Sequence, residues 1–416
     1  MKTPTRLAAL AAVAVIAISA CSSAASTQSP SAAAPTGSAA ASAQASSGAA
    51  QLTGHLTVWE SYGSAGGSAE FRAFQRIVQQ IQTANPGLTL ETTDVPFSDI
   101  FKKFETESAA GGGPDMFIAP NDSLGAESRI PVLEDVTGKI DDVVAASTDV
   151  SVAGSKVDGK LFEVPESLKA VAMYYDAKKV PTPPKTTDDL MAFVKGGGKV
   201  GIISGEYFDW GFYGAFGGKI FDDAGKCAAT ATTGVADAMK YIRDLKAAGA
   251  LVDADYGKVN DAFKNGKVDI ILNGNWTLGD YRAARPDVAV APIPAGPNNT
   301  PATPLVGVDG FYINASSQNK DLAIAVAKQF VSAANEQVYV DVAGHVPANK
   351  SIQIIDPLVK SFSDAINAGM ARPQGKVMDN YWSNFGNAWK QVLTANGDPT
   401  ASVATACQAM DKANGS

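Results

Sequence analysis

The sequence predicts an α/β protein with open sheets, spread over two lobes. Two observations carry this. Short β-rich runs alternate with amphipathic helical stretches from residue 55 onward. A length of 416 residues is also far more than one core needs, so about two domains are expected.

In chain order, Lys2 and Arg6 flank the start of an apolar, uncharged run over residues 7–20. The run is too short to span a bilayer comfortably and has the layout of a secretory signal. It ends in Ile18-Ser19-Ala20-Cys21, which resembles the bacterial lipobox. That resemblance implies a lipid on Cys21 and an anchor to the outer face of the membrane; the alternative is an ordinary signal with a chance cysteine. Residues 22–54 hold no charge and, apart from Leu52, no large apolar side chain, and so read with Cys21 as a flexible tether over 21–54. Residues 56–59 read as a strand. Phe71, Phe74, Val78 and Ile81 then share one helical face, and Asn85-Pro86-Gly87 stops that helix. Residues 88–95 and 115–118 are strand candidates, and 200–203 and 268–272 are short apolar runs typical of buried parallel strands. Val235, Met239, Ile242 and Leu245 mark a second amphipathic helix. Residues 358–414 lack strand signals and read as helical. No internal repeat is evident.

Composition excludes several functions. The net charge is −8, so nothing suggests a nucleic-acid surface. His55 and His345 are the only two histidines, which leaves little material for a His-based triad or metal site. No H-E-x-x-H, G-x-S-x-G or P-loop occurs, and the Lys195–Lys199 glycine run lacks P-loop spacing. No cofactor is expected. Outside the cell Cys227 and Cys407 are free to form a disulfide, or remain two small buried thiols.

Several segments together resemble the extracellular solute-binding proteins of carbohydrate ABC importers, the maltose/maltodextrin-binding group in particular. They are Gly113-Pro114-Asp115, the Gly159–Pro165 run with Met173-Tyr174-Tyr175-Asp176, Pro183-Pro184-Lys185-Thr186, and the run Ala262–Val268 leading to Asn273-Gly274-Asn275-Trp276. Val306-Gly307-Val308 and Ile313-Asn314-Ala315-Ser316 complete the series. The resemblance implies a periplasmic-binding-protein-like fold, with lobes at 55–166 plus 306–355 and 167–305 plus 356–416. A hinge crossed more than once would join them. It further implies a monomer that closes on a sugar and passes it to the membrane subunits of an ABC permease, and that is not an enzyme. Maltose or a short maltodextrin is the first choice.

A sugar offers apolar C–H faces and an equator of hydroxyls, so its site needs flat rings and planar amide or carboxylate groups. On the resemblance, Trp276 and Trp382 are stacking rings, Tyr207 and Phe208 line the site, and Trp210 is core or ligand. Asp122 is a hydroxyl acceptor or a plain turn residue. Glu60 and Tyr62 sit at the carboxyl end of the first strand, where open α/β sheets bind ligands. Asn275, Asp309 and Glu166, with Lys169, complete the candidates. The sequence departs from the group at Ala119 and Ser123, where a stacking tryptophan and an arginine are implied. The alternatives are a binding protein for another sugar, polyol or non-sugar solute, a secreted glycoside hydrolase with paired carboxylates, and a surface-adhesion lipoprotein.

Overall fold

The computed structural model describes residues 51–63 and 67–415; the stretch read as an export signal, Cys21 and the expected tether up to residue 50 lie outside them. Thr53 and Gly54, read as the end of the tether, already pair with Gly87 and Leu88, so the first strand begins at Thr53.

Two sheets organise the chain. The first runs in the order Val346–Pro347, Val164–Lys169, Leu305–Ile313, Met116–Pro120, Thr53–Glu60, Gly87–Asp94, with Met370–Ala371 beside Leu305 and Val306. The second runs Val288–Ala291, Val171–Asp176, Ile270–Gly274, Val200–Ile203, Leu251–Asp253. Both are mixed, where the apolar runs suggested parallel pairing. Leu305–Ile313 is antiparallel to both its long neighbours, and Val171–Asp176 to both of its own. All nine residues of Leu305–Ile313 are buried, so they carry no alternation from which direction could be read.

Helices cover both sheets because each offers one apolar face. In Ala69–Ala84 the residues Phe74, Ile77, Val78 and Ile81 are buried, each contributing about 1.5–3 kcal/mol. Ser68 caps its first turn by accepting from the Phe71 N–H, and the Asn85 side chain donates back to Ile81 O. In Gly234–Ala248 the predicted face of Val235, Met239, Ile242 and Leu245 is buried against the second sheet's core. Residues 358–414 supply most of three helices, Pro357–Asn367, Lys376–Thr394 and Pro399–Asn414, together with the two-residue strand Met370–Ala371, too short to leave a period. Among the described residues no helix is long and apolar enough to cross a membrane.

The chain passes between the sheets repeatedly. Val164–Lys169 of the first continues through buried Ala170 into Val171–Asp176 of the second. It returns at Leu305, and leaves again after Pro347 toward Pro357–Asn367, which packs on the second sheet. Several motif residues are structural pins. Asp115 accepts from Thr57 N at 2.8 Å and Ser317 Oγ at 2.5 Å, Asn314 donates to Gly112 O and Pro114 O, and Thr186 with Asp189 forms a capping box.

A disulfide joins Cys227 to Cys407, 180 residues apart, and ties a surface hairpin to the last helix. Cys227 N also donates to Asp411. Reducing it should lower the free energy of unfolding by about 2–5 kcal/mol, read from urea denaturation with and without dithiothreitol. Superimposable curves would contradict this.

Candidate functional site

Trp276 follows the strand Ile270–Gly274 on a single 3-10 turn, Asn275–Thr277. Its indole lies back across Gly274: a Cβ there would stand 1.8 Å from the ring, so only glycine admits this pose. The indole is half-buried, and its Nε1–H donates to Tyr256 Oη at 3.1 Å. Around it stand Tyr207 at 6.0 Å and Phe208 at 6.2 Å between ring centres, with Tyr256 6.0 Å from Phe208. Tyr207 and Phe208 occupy the turn after Val200–Ile203. Buried Asp209 fixes that turn by accepting from Ser204 Oγ and Gly205 N. Both rings are half-buried and so combine apolar area with access to solvent.

Trp382 is half-buried on the helix Lys376–Thr394. Arg372 lies between it and Tyr207. The guanidinium carbon is 5.5 Å from the Trp382 ring centre and 5.4 Å from that of Tyr207. Its Nη1 donates to Asn121 Oδ1 at 3.0 Å and to Asp122 Oδ1. Asp122 thus meets the second sheet's rings through an arginine.

Beside the rings runs a buried chain of charges. Glu166 accepts from His345 Nδ1 at 3.0 Å, and His345 Nε2 reaches Glu70 at 2.9 Å. Lys169 Nζ donates to Glu70 at 2.9 Å and to Asp309 at 2.5 Å. The same ammonium stands 5.7 Å from the Trp276 ring centre, which joins the charges to the aromatic patch. Burial alone would lower the His345 and Lys169 pKa values; the carboxylates reverse this, holding His345 at about 9 and Lys169 above its usual value. Burial raises Asp309 to about 6 and Glu60 to about 7. Asp309 Oδ1 and Ser167 Oγ are buried and lack a partner among the described residues.

The structure thus brings together Trp276, Tyr207, Phe208, Trp382 and Asp122, and sets Glu166 and Asp309 beside them, already paired with protein cations. Three expectations are corrected. Trp210 is 3% exposed and packs on Tyr213, Phe221 and Tyr381, so it belongs to the core. Tyr62 turns inward onto Phe74 and Tyr339, while its N–H donates to Glu60, whose buried carboxylate is thereby engaged. Asn275 spends its side chain on the passage between sheets: Oδ1 accepts from Ala170 N and Nδ2 donates to Leu168 O. Sequence reasoning missed Arg372, Glu70, His345 and Tyr256, since no motif marks them. Among the described residues no group of His, Cys, Asp and Glu is placed to hold a metal ion.

Residues 76–369 match the family model described as bacterial extracellular solute-binding protein. The maltotriose-binding protein of Pyrococcus abyssi is 26% identical over 344 residues, 78% of this chain and 75% of its own. The galactooligosaccharide-binding protein of Bacillus subtilis is 24% identical over 385 residues, 86% and 87% of the two chains. Among solved structures, the maltotriose binding protein of Thermus thermophilus bound with maltotriose superimposes with a TM-score of 0.79 at 29% identity, over 86% of this chain and all of its own.

Two predictions test the polar framework. Asn275→Ala strands a buried N–H and carbonyl at the passage, and should cost about 1–3 kcal/mol in chemical denaturation; an unchanged midpoint would refute the clamp. His345 is held above its ordinary value of 6.5, so its stabilisation is complete below that pH and is lost as pH rises through about 9. The raised values of Asp309 and Glu60 act in the same direction at lower pH. The thermal midpoint should therefore fall from pH 6 to pH 9, and a midpoint that rises would contradict the assignment.

Proposed function

Because the chain belongs to the bacterial extracellular solute-binding proteins, we propose that it binds a carbohydrate between two closing lobes and delivers it to an ABC-type permease. The lobes are 55–166 with 306–355, and 167–305 with 356–416, and the passages near Ala170, Leu305 and Pro347 serve as the hinge. The ligand of first choice is maltose or a short maltodextrin, in keeping with the maltotriose-binding relatives. A second reading, a different oligosaccharide, is favoured by the galactooligosaccharide-binding relative, which aligns over more of the chain. Cys21 carries the lipid anchor, the residues between it and the strand that begins at Thr53 give the reach from the membrane, and the protein acts as a monomer.

One observation carries the ligand class. Trp276, Tyr207, Phe208 and Trp382 stay half-buried at one place, with the exposed Tyr256 ring beside Phe208 and bonded to the Trp276 nitrogen. Flat rings left partly open beside Asp122 suit a ligand with apolar faces and hydroxyl edges. The same geometry favours binding over hydrolysis. Glu166, Glu70 and Asp309 are engaged by His345 and Lys169 in one buried chain, whereas a glycosidase needs two carboxyl groups turned to the scissile bond from either side.

Titration calorimetry with a panel of neutral oligosaccharides should show saturable binding without release of reducing ends. Trp276→Ala should weaken the tightest of them by about 1–3 kcal/mol with the fold retained. Equal affinity in the variant would remove Trp276 from the site, and no binding across the panel would overturn the carbohydrate reading.

A further inference from the structure

The hairpin from Phe221 to Cys227 is closed by its own contacts. Phe221 bridges Cys227, and Asp222 Oδ1 accepts from Ala224 N at 2.9 Å and from Lys226 N at 2.8 Å. Cys227 ties it to the helix Pro399–Asn414, through the disulfide to Cys407 and through an N–H that donates to Asp411. Opposite Cys227 on that bridge, the Phe221 ring centre lies 6.2 Å from that of Tyr381 and 6.5 Å from that of Trp210. Tyr381 is fully buried and joins two parts of the aromatic site. Its Oη–H donates to the carbonyl of Glu206, the residue before Tyr207, at 2.7 Å. Its ring lies 5.3 Å from that of Trp382, its neighbour on the helix Lys376–Thr394. One buried ring thus spaces the Tyr207 turn from the Trp382 helix, and Phe221 packs against it.

We propose that the Cys227–Cys407 bond makes ligand affinity redox-dependent, by holding Phe221 against Tyr381 and so fixing the spacing of Tyr207 and Trp382. The reductant is a dithiol, small or protein-borne. Its thiolate attacks the sulfur of Cys227, the half-buried partner, and Cys407 leaves and takes up a proton. The reductant's second thiol then displaces Cys227, which is protonated in turn, as the reductant closes its own disulfide. Two electrons and two protons reach the protein, which ends with two thiols. The hairpin is then tied to the last helix by non-covalent contacts alone. Rings that must be ordered at the moment of binding subtract that ordering from the affinity, whereas rings already spaced do not. Cys227, Cys407 and Phe221 are positioning residues, acting through Tyr381 without touching the ligand. This inference rests on the carbohydrate reading above.

The test is calorimetry with maltotriose, and with galactotriose in parallel, well below the thermal midpoint of every sample. Treatment with dithiothreitol should raise the dissociation constant by about three- to ten-fold, and reoxidation should restore it. Phe221→Ala with the disulfide intact should raise it in the same range, and this variant decides if the reduced protein does not fold. Asn85→Ala, which removes the bonds from that side chain to Ile81 O and Gln329, should lower the thermal midpoint and leave the dissociation constant unchanged. A loss of stability alone does not alter the affinity of a protein that remains fully folded. An unchanged constant on reduction or in Phe221→Ala, or an equal loss in Asn85→Ala, would overturn the proposal and leave the carbohydrate reading intact. Failure of the oxidised protein to bind these or any other saccharide would overturn both.

Discussion

The middle of the molecule depends on one buried ammonium. Lys169 is 8% exposed and ends the strand that runs from the first sheet into the second. An isolated charge at that depth costs several kcal/mol, so it holds only if carboxylates meet it. Glu70 comes from the first turn of a helix, and Asp309 from a strand that returns from the second sheet. Glu70 in turn needs His345, and His345 needs Glu166. Each partner rises from a different segment. Satisfying one lysine therefore fixes a helix end, two passing strands and the approach to Val346–Pro347 relative to one another. Such a chain is weak evidence for stability and better evidence for a unique arrangement.

That arrangement reaches the aromatic patch directly, because the Lys169 ammonium also faces Trp276. The indole is held by Gly274 behind it, Tyr256 at its nitrogen and the ammonium over its ring. Asn275, the residue before it, clamps the backbone of the passage through Leu168 and Ala170. A ligand that stacks on Trp276 therefore presses on a side chain one residue removed from the hinge. The proposed closure has a short mechanical route, through contacts already made, and calls for no long-range pathway.

Much of the fold was legible because it follows from period. The faces of Ala69–Ala84 and Gly234–Ala248 repeat at helical spacing, and the short apolar runs fall within or beside strands. Strand direction was not legible, since a strand buried on both faces, such as Leu305–Ile313, reads the same either way. The site divided along similar lines. Trp276 stood out because it follows a buried strand inside a recognisable motif. Trp210 read as core or ligand, and only packing against Tyr381 and Phe221 decides for the core. Glu70 and His345 lie 275 residues apart in the chain, and a single acid or histidine carries no local pattern. Their pairing exists only in three dimensions.

Arg372 shows how a site can keep its chemistry while its motif changes. The resemblance implies an arginine directly after Asp122, and Ser123 stands there. The structure brings a guanidinium to the same carboxylate from 250 residues away, on the segment that leaves Met370–Ala371. A donor fork thus stands beside that acid and between flat rings, although it originates far along the chain. The implied stacking ring at Ala119 has no such substitute in place: Ala119 is buried within its strand. The aromatic surface is correspondingly weighted toward the second sheet, on Trp276, Tyr207 and Phe208.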